Sequence, residues 1–436
     1  MASKALVCDS GLYPYTATAL TGAFDSVVYY TPTQAAFPIS RPTAWGKGLP
    51  GIERSNRLWR HAVDADLIVF PDLHFADEQW ALRLEQAPVW GAGEAEELEL
   101  DRVALKRWQE AAGLPTPEWW ALDGMDALRE HLDDPANEDQ FIKLSRWRGD
   151  AETYHHRVSW LSQTWLNHMD EQLGSLRDAV TFVAEAAIPD AIEVGCDTFT
   201  VDGQYPTLSV VGYENKDLSY LGWLCPTVEL PAALAAVNRA LTPPFAEARC
   251  RSMFSTELRV TPDGIGYLID LTVRNGSPPS ESLLELFTNW PAIMMAAAES
   301  GTLIEPEPVA RYVAQIVLRS RWAFDRFLQL RFPEEMRHLV KLHGHAILDG
   351  VDTVVALGMD VIGSTVGLGD TPEEAADQAL EVAHAIEAHE LEYDEHAFEV
   401  LWDRIEQGRE RGIPWGKEVS TNAQAQSEGA AQAAGG

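Results

Sequence analysis

Two carboxylates in the stretch FSTELRVTPDGIGYLIDLTVRN, residues 254–275, raise the first chemical question. At a side-chain period of two, Phe254, Thr256, Leu258 and Val260 share one strand face, and Ser255, Glu257 and Arg259 share the other. On the return strand Tyr267, Ile269, Leu271 and Val273 form the apolar set, which leaves Asp270, Thr272 and Arg274 opposite. Asp263-Gly264 is the turn signal, since a type I′ turn needs positive φ at both central residues. Folding about that dipeptide sets Glu257 across from Asp270, with Cβ atoms roughly 4.5–5.5 Å apart, where two carboxylates repel unless a positive charge separates them. Magnesium meets that need, because it takes one or two protein carboxylates and fills its other positions with water and substrate phosphates. Glu257 and Asp270 are therefore predicted metal ligands, with the Thr272 hydroxyl and Arg274 on the same face. The plain alternative is two solvated acids in a chain that holds 67 of them.

A positive counterpart lies upstream. Lys143 sits in the strand-like run FIKLS, where a charge needs a reason, and is followed by RWRGDAET. A strand lysine followed by a turn with Arg146, Arg148, Gly149 and Thr153 can surround a polyphosphate with cations and backbone N–H donors. Ordinary basic residues at an exposed strand edge would look the same. Trp147 could stack on a ligand, although packing is the commoner use of tryptophan, and His155 and His156 carry no predicted role.

The elements that must position these residues form a long, ordered series. At 436 residues the chain has room for about three domains. Its 46% apolar and 23% charged content is globular, whereas a net charge of −34 argues against nucleic acid or an anionic membrane as partner. The four cysteines show no CxxC or zinc spacing, and no apolar run is long enough for a signal sequence or a bilayer span, so a soluble cytoplasmic protein is expected. KALVCDS, FDSVVYYTP, ADLIVFPD and PVWGAG alternate with helical stretches and predict a small parallel α/β domain without a GxGxxG dinucleotide signature. In the next helix Leu100, Ala104, Trp108 and Ala111 form the apolar stripe, and Lys106 falls off it. From about 140 the pattern is strand-rich, with Asp202-Gly203 as a second hairpin turn. VARYVAQIVLRSRWAFDRFLQL reads as an amphipathic helix, and the polar tail from 417 reads as disordered.

The order of a small α/β domain, a helix with Lys106, a strand with Lys143 and a loop, VAEAAI followed by Glu193, and paired acids with IDLTVRNG resembles the ATP-grasp superfamily. Within it the nearest likeness is to glycinamide ribonucleotide synthetase (phosphoribosylamine–glycine ligase). The resemblance implies an ATP-grasp fold of the α/β plus α+β class: an N-terminal α/β domain (1–95), subdomains at 96–183 and 184–300, a C-terminal α+β domain (301–416) and a tail (417–436). It implies that Lys106 and Lys143 contact nucleotide phosphates, that 145–153 is the phosphate-covering loop, and that Glu185 through Ile188, including Ala186, form the adenine hinge. Glu193 then holds the ribose, Glu257, Asp270 and Thr272 hold Mg2+ (or Mn2+), Arg274 steadies developing charge, and Lys216 in YENKD lies on the substrate side.

The sequence departs from the family at four places. The family's Glu-x-Asn reads Asp270-Leu271-Thr272, which implies weaker metal binding, and the loop carries arginines where glycines are expected. The amino-terminal glycine-rich turn for the sugar phosphate is replaced by CDSGLYPYTA and the glycine-rich substrate segment after Lys216 by LSYLGWLCPTVELP, two losses that argue against phosphoribosylamine as substrate while leaving ATP use intact. The expectation is an ATP-dependent carboxylate–amine ligase acting through an acyl phosphate on a small-molecule or peptide-like substrate, with room for a homo-oligomer. A non-catalytic ATP-binding assembly protein and a divergent phosphoribosylamine–glycine ligase are the alternatives.

Overall fold

The computed structural model describes residues 3–32, 44–146, 153–355 and 358–416. Trp147, Arg148, Gly149 and the tail from 417 lie outside the described residues.

The apolar runs near the amino terminus form a parallel sheet of β1 (Lys4–Cys8), β2 (Ser26–Tyr30), β3 (Ile52–Ser55), β4 (Leu67–Val69) and β5 (Val89–Trp90), in the order β3-β2-β1-β4-β5. Parallel strands are covered on both faces, which is why β1, β2, β4 and β5 are mainly apolar, whereas the edge strand β3 reads IERS and is partly exposed. Ala5 and Val7 join one core, whereas Leu6 and Cys8 join another on the opposite face.

A second, antiparallel sheet holds β6 (Trp119–Asp123), β7 (Gln140–Leu144), β8 (Tyr154–His156) and β9 (Thr181–Ala186), ordered β6-β9-β7-β8. The helices Gly124–Asp133 and Ser159–Leu173 contribute Met125, Leu128, Leu166 and Met169 to its core.

The remaining strands are β10 (Ile192–Val201), β11 (Leu208–Asn215), β12 (Ser219–Pro226), β13 (Arg251–Val260), β14 (Gly266–Thr272), β15 (Tyr312–Arg319), β16 (Leu328–Arg331), β17 (Val340–Leu342), β18 (His345–Leu348), β19 (Val351–Val354), β20 (Val361–Gly369) and β21 (Glu387–Ala388). Eight of them form one sheet ordered β14-β13-β10-β11-β12-β15-β20-β17, and the other four form β18-β19-β16-β21. The segment beyond residue 300 thus contributes β15, β20 and β17 to the sheet that carries the paired acids.

Three local expectations are corrected. Residues 312–319, read as part of a helix, form β15, which is buried between β12 and β20. The run YVAQIVLR is β-branched and apolar on both sides, and pairing on two edges outweighs its weak helical period.

In the helix Arg102–Ala111 the buried residues are Arg102, Leu105, Lys106 and Gln109, not the stripe through Ala104 and Trp108. Its inward face is polar because it packs toward a polar site, so hydrophobic periodicity sets the wrong phase.

The third correction concerns the hairpin. Its tip has positive φ at Gly264 alone, with the Gly264 N–H on the Thr261 carbonyl and the Thr261 N–H on the Ile265 carbonyl. This is a longer loop than the expected type I′ turn, and Asp202-Gly203 supplies the two consecutive positive φ values instead. Val260 pairs with Gly266 and Leu258 with Leu268, and then the register shifts so that Glu257 faces Asp270. The predicted pairing is reached through a bulge at Ile269. Leu268 therefore takes the core position, and Ile269 turns away from it.

Candidate active site

The bulge brings the second and third sheets together. With Ile269 displaced from the ladder, its carbonyl accepts from Lys143 Nζ at 3.0 Å. Lys143 also lies 3.4 Å from Glu185 Oε1, and Lys106 Nζ lies 3.0 Å from Glu185 Oε2. Glu185 is 4% exposed and Lys106 1%, so three charges share a nearly dry site. Burial alone would raise the Glu185 pKa, but Lys143 and Lys106 outweigh it and hold the carboxyl below its usual range. Burial and Lys143 push Lys106 down against the pull of Glu185. Sequence reasoning assigned Glu185 to a backbone hinge and missed this double ion pair. The signal was Glu185 in VAEAAI, a charge in an otherwise buried strand that requires a buried partner.

These residues border a cavity of about 410 Å³ lined by Phe141, Lys143, Thr153, Glu185, Ala186 and Ile188 on one side. Glu193, Lys216, Glu257, Arg259, Ile269 and Asp270 line the other. Most of the expected site residues therefore meet in one cleft between β7–β9 and β10–β14. Glu193 pairs with Arg259 at 3.3 Å, as their cross-strand register requires.

Four expectations are not met in place. Arg146 is drawn off by Glu97 and by Asp101 at 2.8 Å, and lines a separate cleft with Arg107 and Asp123. Asp101 also caps the helix Arg102–Ala111, accepting the Ala104 N–H, so this acid is fixed where it captures Arg146. Arg274 does not line the cavity, because its Nε donates to Glu99 at 3.0 Å while Nη1 donates to the Tyr13 hydroxyl and the Asn275 carbonyl. Thr272 lies opposite Ser255 and also falls outside the cavity lining. Lys106 is shielded behind Glu185 rather than lining the cavity. Arg148 and Gly149 are outside the described residues.

The electrostatics of the acidic wall show what fits there. Burial, then Glu214, Asp270 and Glu193, push the Glu257 pKa well up, with Lys216 opposing. Burial, Glu193 and Asp197 push Glu214 up to about 8. Burial would lower Lys216, yet Glu257, Glu214, Asp270 and Glu193 raise it. Negative charge is in excess, and oxygen donors are the ones available, which suits a hard divalent cation at Glu257 and Asp270. Among the described residues no group of three His, Cys, Asp or Glu side chains forms a metal set. Two protein carboxylates with the remaining positions open to water and phosphate is the magnesium pattern.

No protein-family model and no curated protein matches the chain. Solved structures do. Phosphoribosylamine–glycine ligase from Thermotoga maritima superposes with a TM-score of 0.69 at 17% identity, covering 90% of this chain and 99% of that one. The chain has the ATP-grasp fold.

L-amino acid ligase from Bacillus licheniformis is similar at a TM-score of 0.59 and 16% identity, over 90% of this chain and 99% of its own. The biotin carboxylase domain of Hydrogenobacter thermophilus 2-oxoglutarate carboxylase, solved with magnesium ADP, ADP and bicarbonate, gives 0.62 at 14% identity, over 96% of this chain and all of its own. The likeness is one of ATP-grasp architecture, and the resemblance carried by the order of the motifs is matched at that level. Among the described residues no helix is long and apolar enough to cross a membrane.

Proposed function

We propose that the chain is an ATP-dependent carboxylate–amine ligase. A substrate carboxylate attacks the γ-phosphate of ATP and expels ADP, and an amine then displaces inorganic phosphate from the acyl phosphate and gives up a proton to form an amide. One observation carries this reading: a single cavity has a lysine fixed by a buried glutamate on one wall and two opposed acids of a bulged hairpin on the other.

Phosphoryl transfer asks the protein for positioning and charge neutralisation, and this chain's residues supply both. Lys143, fixed between the Ile269 carbonyl and Glu185, faces the cavity and would neutralise phosphate oxygens. Lys106 holds Glu185 from behind and so sets the position of Lys143. Phe141, Ala186, Ile188 and Ile269 give the cavity an apolar side suited to a purine, and Glu193 stands where it could accept ribose hydroxyls. Magnesium, when bound at Glu257 and Asp270, neutralises the phosphate charge that these acids would otherwise repel. The solved relatives include two ligases and a domain holding magnesium ADP, which supports nucleotide use and leaves the acid and the amine open.

Release of ADP across a panel of carboxylic acids and amines tests the proposal. Lys143→Ala and Asp270→Ala should each lower turnover by roughly 10²- to 10³-fold. Unchanged turnover in either variant refutes it. Tight ATP binding with no ADP across the panel would favour a nucleotide-binding protein without ligation.

A further inference from the structure

Among the described residues, Phe141 is the one aromatic side chain that lines the cavity. Alternation along β7 places Ile142 and Leu144 in the core and turns Phe141 and Lys143 toward the cavity. Strand register then sets Glu185 of β9 across from Phe141 on one side and His155 of β8 on the other. A phenyl ring in such a row can move between staggered wells, and a wall that moves loses contact with whatever lies against it. His155 opposes this. Its imidazole stacks on Phe141 with ring centroids 4.4 Å apart and planes 12° apart.

β8 stands at the edge of its sheet, where a side chain has a neighbouring strand on one side alone, so His155 needs a brace of its own. Asp139 supplies it. His155 Nε2 lies 2.6 Å from Asp139 Oδ1, and a carboxylate can only accept, so the imidazole donates there and is held in one orientation. Asp139 takes a left-handed backbone, φ 59°, just ahead of β7, and its carbonyl accepts the Ala187 N–H at 3.0 Å. Ala187 lies between Ala186 and Ile188, which line the same wall as Phe141. One residue outside the cavity thus ties down both parts of its apolar side, Phe141 through His155 and 186–188 through a backbone bond. Core packing does not ask for this arrangement, since His155 keeps 33% of its side chain exposed and Asp139 69%. Neither of the two lines the cavity itself.

We propose that Asp139 and His155 are positioning residues for the nucleobase: they fix Phe141 and the 186–188 segment against a purine without touching it. They set which base the cavity takes. The assignment rests on the nucleotide half of the ligase reading and adds the selection of the base. A purine presents a larger apolar face than a pyrimidine, so a fixed wall favours it, and a loosened wall gives up that advantage first.

Calorimetric titration of the full chain with ADP and with CDP, each in the presence of Mg2+, tests the proposal. The natural chain should prefer ADP. His155→Ala should weaken ADP about two- to tenfold, the range of one lost aromatic contact, and CDP less, so that the preference narrows. His155→Phe keeps the stack and should recover most of the ADP affinity. Asp139→Gly suits the left-handed backbone while removing the carboxylate, and should act in the same direction as His155→Ala. In a Phe141→Leu background His155→Ala should change nothing further, because it acts through the ring. Equal affinities of the natural chain for the two nucleotides, unchanged ADP affinity in His155→Ala, equal weakening of ADP and CDP, or a His155→Ala loss that persists in full without the Phe141 ring each overturn the positioning role and leave the ligase reading standing. A natural chain that binds neither nucleotide removes the ligase reading, and the positioning role with it.

Discussion

Replacing Glu185 with Gln removes the one negative charge that lies between Lys106 and Lys143 while keeping the side chain's shape. Contacts of 3.0 and 3.4 Å, with side-chain exposures of 2% for Lys106, 12% for Lys143 and 6% for Glu185, put all three groups out of bulk water. At an effective dielectric of about 20 each contact gains about 5 kcal/mol gross, most of it offset by the cost of desolvating the ions. Removing one member leaves the others uncompensated, and for such buried pairs the loss is about 3–5 kcal/mol.

The pH dependence follows from the direction of each shift. Glu185 has a depressed carboxyl, so its contribution is present above the ordinary glutamate range and is lost as pH falls through the depressed value. Lys106 is lowered, so its charged form costs stability that is regained as pH rises through its folded-state value. The difference between the natural chain and Glu185→Gln should therefore be greatest near neutrality and shrink in acid as Glu185 protonates. It should also shrink in alkali, where Lys106 in the variant releases its proton. Hydrogen exchange of β7 and β9 amides reads the local effect, and urea unfolding by tryptophan fluorescence reads the global one. The double variant Lys106→Met/Glu185→Gln should recover part of the loss. A single variant within about 1 kcal/mol of the natural chain, with the same pH profile, would refute the reasoning.

Other consequences can be checked separately. Asp9 is fully buried, and burial followed by Asp72 pushes its pKa up from 3.8 to about 7. Its penalty is absent in acid and grows as pH rises from about 4 to about 7, so Asp9→Asn should flatten the fall in melting temperature between pH 5 and pH 8. The corresponding ceiling is about 4 kcal/mol, and a variant that keeps the natural slope contradicts the assignment. A Cβ on Gly367 would lie 2.0 Å from the Ala375 carbonyl oxygen and 2.5 Å from the Ala379 nitrogen, backbone that cannot swing aside. Gly367→Ala should cost about 1–3 kcal/mol or more by chemical denaturation, whereas no change would mean that the helix Pro372–His384 slides freely on β20. Arg146→Ala should leave nucleotide affinity nearly unchanged, because its exposed pairs with Glu97 and Asp101 lie in another cleft; a tenfold loss by calorimetry would return Arg146 to the phosphate site.

Local chemistry in the sequence went furthest where one residue type has one physical use. Lys143 in a strand could be read because burying a charge demands a partner, whereas Glu257 came to face Asp270 because a longer turn and a bulge at Ile269 offset one another, not because alternation ran unbroken. The same rules failed for the helix Arg102–Ala111, whose buried Arg102, Lys106 and Gln109 reverse the usual link between polarity and exposure. They failed again for 312–319, where pairing with β12 and β20 settled what a short apolar run left ambiguous.

The chain by itself determined the order of its elements, the acidic excess and the types of group available to a nucleotide, since these follow from composition and short-range periodicity. Only the tertiary structure decided that Ile269 leaves the ladder to meet Lys143, that Glu185 joins two lysines, and that Glu99 and Asp101 draw Arg274 and Arg146 away. Each of those outcomes is a competition among charges far apart in sequence. Which partner wins depends on distance and burial, and both exist only once the sheets have packed.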